Sequence, residues 1–180
     1  MFEELLGKIG RELDTIGIPY MVIGGQAVLL YGEPRLTRDI DVTLGVGAEE
    51  CGRVIEAASR LDLEPIPSDA EAFIRETMVL PALHEASGIR VDFIFSRSSF
   101  EQEAIARARR VFVGGAEVAF SSLEDLVIHK IVAGRPRDME DARIVLAKNP
   151  GYDRDHILRW LDEFDQALDG GFRRAFEELA

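Results

Sequence analysis

Cysteine is almost missing from this chain of 180 residues: Cys51 stands alone, which excludes an internal disulfide and suits a reducing cytoplasm. Long apolar runs are missing too, so no segment is a candidate to cross a bilayer. The start, Met1-Phe2-Glu3-Glu4, is acidic and passes directly into an amphipathic pattern, unlike a secretory signal. Basic residues are scarce, with 21 Lys and Arg against 33 Asp and Glu and a formal charge of −12. A protein that grips long nucleic acid through its phosphates carries a basic face, so extended DNA binding is not expected. Histidine is sparse as well. His84, His129 and His156 show neither metal spacing nor a nucleophile partner, and read as structural or solvated. The sequence contains no internal repeat and no low-complexity tract.

What is present reads as a mixed α/β core to about residue 120, followed by helices. Phe2, Leu5, Leu6, Ile9, Leu13 and Ile16 fall on one helical stripe that Gly17-Ile18-Pro19 stops. Tyr20 to Ile23 is a short apolar strand running into Gly24-Gly25, and Gln26 to Tyr31 reads as a helix closed by Gly32. Asp39 to Leu44 alternates as a strand. Ala48 to Leu61 reads as an amphipathic helix, and Pro65 to Asp69 as a turn. Strands follow around Thr77–Leu83 and Arg90–Phe95, with a helix from Phe100 to Arg109. A hairpin then turns at Gly114-Gly115. Ser121 and Glu124 have capping-box spacing for a helix to about Ala133, and further helices start near Asp138 and after Asp153. The expected division is a core at 1–120 and a helical C-terminal subdomain at 121–180, packed on that core.

Chemistry is concentrated in three carboxylates. Asp39 and Asp41 are separated by Ile40, and on a strand such residues share one face about 6.5–7 Å apart. Two carboxylates so placed suit a hard cation such as magnesium, which takes few protein oxygens and completes its shell with phosphate and water. Asp92 lies within Val91-Asp92-Phe93-Ile94-Phe95, where an ionised side chain is costly unless it is paired, metal-bound or at a cleft. Gly24-Gly25 precedes a helix, so its backbone can approach phosphate near free N–H groups. Arg35, Thr37 and Arg38 follow in the loop, within reach of triphosphate oxygens. Lys130 falls on the apolar stripe of Leu123, Leu126, Val127 and Ile131. It either pairs with Asp138 or Asp141, or reaches toward phosphate.

The run Gly24-Gly25-Gln26-Ala27, then Tyr31-Gly32, then Pro34-Arg35-Leu36-Thr37-Arg38-Asp39-Ile40-Asp41, with Asp92 on a later strand, resembles the polymerase-β-like nucleotidyltransferase superfamily. It is similar to the small bacterial branch of abortive-infection (AbiEii-type) toxins and aminoglycoside and lincosamide nucleotidyltransferases. The resemblance implies a minimal nucleotidyltransferase fold of the α/β (α+β) class: a short mixed β-sheet flanked by helices, with a C-terminal helical subdomain. It implies two magnesium ions on Asp39, Asp41 and Asp92, which would be both the metal ligands and the catalytic residues. Gly24, Gly25, Gln26, Arg35, Thr37, Arg38 and Lys130 would bind a nucleoside triphosphate such as ATP. A nucleoside monophosphate would pass to RNA, protein or a small molecule with release of pyrophosphate. In the toxin-type case an antitoxin partner would restrain the activity. Many members place serine directly after the first glycine, where this chain has Gly25 and then Gln26. That departure supports one alternative, a catalytically silent module that binds a nucleotide or partner. The acidic charge supports another, an aminoglycoside-type drug-modifying enzyme whose cationic acceptor is drawn to a negative cleft.

Overall fold

The computed structural model describes residues 2–33 and 39–179. Along the chain run α1 (Phe2–Thr15), β1 (Tyr20–Ile23), α2 (Gly24–Tyr31), β2 (Asp39–Leu44), a 3-10 turn at Ala48–Glu50, α3 (Cys51–Arg60), β3 (Leu63–Pro65), α4 (Ala70–Thr77), β4 (Val79–His84) and β5 (Ile89–Phe95). They are followed by α5 (Ser99–Ala106), β6 (Arg109–Val113), β7 (Ala116–Phe120), α6 (Leu123–Ala133), α7 (Pro136–Lys148), α8 (Arg154–Leu168) and α9 (Phe172–Leu179). The chain forms two compact units. One takes in the chain up to Gln26 and the elements from Asp39 to Ser121; the other takes in Ala27 to the end of α2 and everything from Ser122 onward.

The first unit is built on a seven-stranded mixed sheet in the order β3-β4-β5-β2-β1-β7-β6. The β2–β5 and β1–β7 pairs are parallel and the others antiparallel. Ile40, Val42, Val91 and Phe93 are buried on the central strands, where alternation sends every second side chain to one face. The α1 stripe is buried through Leu5, Leu6, Ile9 and Leu13, as the helical spacing requires. Glycine lets this helix meet the β6–β7 turn backbone to backbone: a Cβ on Gly7 would fall 2.5 Å from the Gly114 carbonyl oxygen.

Several local features differ from the sequence reading. The helix α4 fills the stretch between the turn expected to end at Asp69 and the strand expected from Thr77, where the sequence reading assigns no element. Asp69 caps it by accepting the N–H of Ala72, and Met78, left-handed at φ 59°, ends it. The Thr77 hydroxyl donates to the Phe73 carbonyl, so a β-branched residue that suggested strand closes the helix instead. Leu63–Pro65 is an edge strand that takes in Pro65, the first residue of the expected turn, at a position where proline's missing N–H costs no ladder bond. Finally, α5 stops at Ala106, and Arg109 already belongs to β6.

The second unit is helical. Its first helix, α6, is capped one residue later than the Ser121 spacing suggests. Ser121 donates its N–H to Val22 as an extension of the sheet, whereas the Ser122 hydroxyl oxygen accepts the N–H of Asp125. The same hydroxyl lies 2.6 Å from Asp125 Oδ2, and His156 Nε2 lies 2.7 Å from Asp125 Oδ1, tying α8 to α6 through buried polar groups. Asn149 Nδ2 donates to the Tyr31 carbonyl at 2.8 Å, which fastens the end of α2 to the end of α7. Phe176 of α9 is fully buried and meets Tyr152 edge to face. Among the described residues no helix is long and apolar enough to cross a membrane.

Candidate active site

The centre of the sheet carries the three aspartates. In β2, Ile40 and Val42 are fully buried while Asp39 is exposed and Asp41 half-buried; in β5, Val91 and Phe93 are buried while Arg90 is exposed and Asp92 half-buried. The parallel register sets Asp39 beside Arg90 and Asp41 beside Asp92. Alternation and register together put all four charged residues on the less buried face of two adjacent central strands. Further along that face of β2, Thr43 is almost fully buried, so the open part of the face is the end that starts at Asp39.

Asp92 sits in the middle of an apolar strand because it has a partner. Arg90 Nε donates to its Oδ1 at 2.8 Å, with 50% of the arginine side chain exposed and 19% of the aspartate's. The hydrogen bond to Asp92 is the main reason the Arg90 guanidinium holds its proton even more firmly than usual. Partial burial opposes this, and the charges of Asp92, Asp39 and Asp41 add to it. Arg90 therefore feels all three carboxylates. The sequence reading passed over it, although the signal was available: a residue two before Asp92 on a strand must share its face.

The turn after β1 supplies the adjoining wall. Ile23 pairs with Asp41 across the antiparallel β1–β2 ladder, and the chain then enters α2 directly at Gly24, two residues before the expected start at Gln26. Gly24 has φ +64°, and a Cβ there would lie 2.0 Å from Asp41 Oδ2. Only glycine satisfies both the backbone conformation and the approach of the carboxylate. Gln26 is buried. Arg35, Thr37 and Arg38 lie outside the described residues. The structure thus brings together Asp39, Asp41, Asp92 and the Gly24-Gly25 turn within the sheet unit.

Lys130 belongs to the helical unit. Its Nζ lies 2.7 Å from Asp138 Oδ1 and 2.9 Å from Asp141 Oδ2, with all three side chains nearly inaccessible to solvent. Burial opposes ionisation of Asp138, but hydrogen bonds from Arg135 and Lys130 and their charges outweigh it, holding the carboxyl below its usual range.

The donor set of the sheet unit is all oxygen and all anionic, which fits a hard divalent cation. Among the described residues no three His, Cys, Asp or Glu side chains close into a metal-binding group. Asp39, Asp41 and Asp92, the ligands expected from the sequence, therefore share a face without forming such a group.

A family model described as "Nucleotidyltransferase of unknown function (DUF6036)" matches residues 2–147. No curated protein matches the sequence. Among solved structures, the chain is similar to ANT(2'')-Ia in complex with adenylyl-2''-tobramycin, at 19% identity and TM-score 0.56, covering 97% of this chain and 98% of that one. It is also similar to an antigenic nucleotidyltransferase-like protein from Paracoccidioides brasiliensis, at 18% identity and TM-score 0.56, covering 96% and 93%. A third is the lincomycin-bound lincosamide antibiotic adenylyltransferase LnuA, at 16% identity and TM-score 0.51, covering 74% and 89%. At such identities the likeness is one of fold, and it agrees with the minimal nucleotidyltransferase architecture expected from the sequence.

Proposed function

We propose, starting from the fact that this chain belongs to the DUF6036 nucleotidyltransferase family, that its reaction is metal-dependent and runs on Asp39, Asp41 and Asp92. The observation that carries this reading is the register that sets Asp41 beside Asp92, with Asp39 on the same face and Gly24 against Asp41. Asp39 and Asp41 would hold two magnesium ions, with Asp92 completing the site of the second. Bound magnesium supplies charge neutralisation for the triphosphate and lowers the pKa of an attacking hydroxyl. The Gly24-Gly25-Gln26 turn offers backbone N–H groups at the start of α2 to phosphate, and Arg35, Thr37 and Arg38 add side-chain donors. Asp92 accepts the proton of the acceptor hydroxyl as its oxygen bonds to the α-phosphorus; the bond from that phosphorus to the bridging oxygen breaks, and pyrophosphate leaves. The Lys130 ammonium already donates to Asp138 and lies 2.9 Å from Asp141, which favours a structural pair over contact with nucleotide phosphate.

The acceptor in this proposal is RNA or protein, in the manner of an abortive-infection toxin restrained by an antitoxin partner in the cytoplasm. The formal charge of −12 favours a second reading, a small cationic acceptor of the aminoglycoside kind, because an acidic surface concentrates positive ligands. Incubation with magnesium and each α-labelled nucleoside triphosphate, alongside total RNA, lysate protein and an aminoglycoside panel, separates these. Label is expected on one acceptor class and lost in Asp41→Asn. Triphosphate binding without transfer, unaffected by Asp41→Asn, would instead identify a catalytically silent binding module.

A further inference from the structure

The carboxylate cluster already contains a cation of its own. Arg90 is covalently fixed two residues from Asp92 on β5, stands opposite Asp39 in the β2–β5 register, and donates to Asp92 Oδ1 at 2.8 Å. Half of the Arg90 side chain is exposed, and its hydrogen bond to Asp92 holds the guanidinium at the carboxylates. An arginine cannot lose its proton in this setting, and its fixed charge competes with any divalent cation for the same oxygens.

We propose that Arg90 is a resident counter-ion of the three aspartates: it holds Asp92 in place before metal arrives and sets a threshold that a divalent cation must exceed. The inference rests on the metal-site reading above. Arg90 acts through Asp92 and is a positioning residue, so metal affinity, rather than turnover alone, is the property it controls. A cation binding beside Asp92 must either displace the guanidinium or share the carboxylate with it. Without Arg90 the Asp92 carboxylate loses the cation it now holds, and metal can take that place without displacing a guanidinium. The affinity gain should be about tenfold, the factor that corresponds to 1.4 kcal/mol.

Manganese binding, followed by electron paramagnetic resonance without nucleotide, tests this on the full chain. Wild type, Arg90→Gln, Arg90→Lys and Asp41→Asn are compared, with far-ultraviolet circular dichroism confirming that each is folded. The expected result is binding about tenfold tighter in Arg90→Gln, a return toward wild-type affinity in Arg90→Lys because the charge is restored, and loss in Asp41→Asn. Unchanged or weaker binding in Arg90→Gln, with Asp41→Asn still abolishing it, overturns the role of Arg90 and leaves the metal site standing. Should Arg90→Gln fail to fold, Arg90→Lys decides: affinity raised to the level expected of the neutral variant would overturn a charge-based role, and near-wild-type affinity supports it. Manganese binding that is absent, or indifferent to Asp41→Asn, overturns the metal-site reading itself.

Discussion

Consider Lys130→Met, which keeps most of the side-chain volume and removes the charge. In the folded chain Lys130 lies 2.7 Å from Asp138 and 2.9 Å from Asp141, and the three side chains are only 8%, 4% and 9% exposed. Methionine would leave the Asp138 and Asp141 carboxylates buried without the ammonium they share, with Arg135 still beside Asp138. Breaking a buried pair from one side costs about 3–5 kcal/mol, because the remaining charge is desolvated without compensation. For a chain of this size each kcal/mol moves the thermal midpoint by about 2–4 °C, so a fall of about 6–20 °C is expected. Urea titration at neutral pH gives the free energy directly. The sign with pH follows from Asp138, whose folded pKa is depressed. Its stabilising contribution is present above its unfolded value of 3.8 and is lost as pH falls through the lower folded value. In Lys130→Met much of that acid-side loss should vanish, since the favourable partner is gone. Lys130→Met/Asp138→Asn/Asp141→Asn, neutral throughout, should recover part of the loss. A Lys130→Met cost below about 1 kcal/mol, the range of an exposed pair, would refute the buried-cluster reasoning.

Gly24→Ala should abolish nucleotide transfer and cost about 1–3 kcal/mol, because its methyl meets Asp41 and its backbone is left-handed; urea titration and the labelled-nucleotide assay read both effects. Burial lowers the pKa of His129 from 6.5 to about 4, so the unfolded chain binds a proton that the folded chain refuses between those values. Stability should therefore fall as pH drops through that window, and urea midpoints at pH 7.5 and 5 should differ less in His129→Gln than in wild type. Phe112 is 75% exposed on the edge strand β6, so Phe112→Ser should shift stability by no more than about 0.5 kcal/mol; a larger shift in urea titration would mean that the ring packs.

Much of the local structure was legible in one dimension. The α1 stripe, the β1 run into Gly24-Gly25 and the alternation of β2 and β5 are periodic patterns, and each was realised near its expected bounds. The features that escaped, α4 and β3, depend on relations between residues. Asp69 is a cap only once Ala72 presents its N–H, and Leu63–Pro65 is a strand only because β4 lies beside it. Composition and propensity carry little information about such pairings.

The candidate site divides along the same line. The sequence by itself determined that Asp39 and Asp41 share a face, that Asp92 is an anomaly in an apolar strand, and that glycines end β1, because each depends on residues within a few positions of one another. Tertiary structure alone decided that Asp41 pairs with Asp92, 51 positions later in the chain, that Asp39 stands beside Arg90, and that Lys130 has both Asp138 and Asp141 as buried partners. Strand register and helix docking are settled by the packing of whole elements, and a one-residue slip would send every side chain of a strand to the other face.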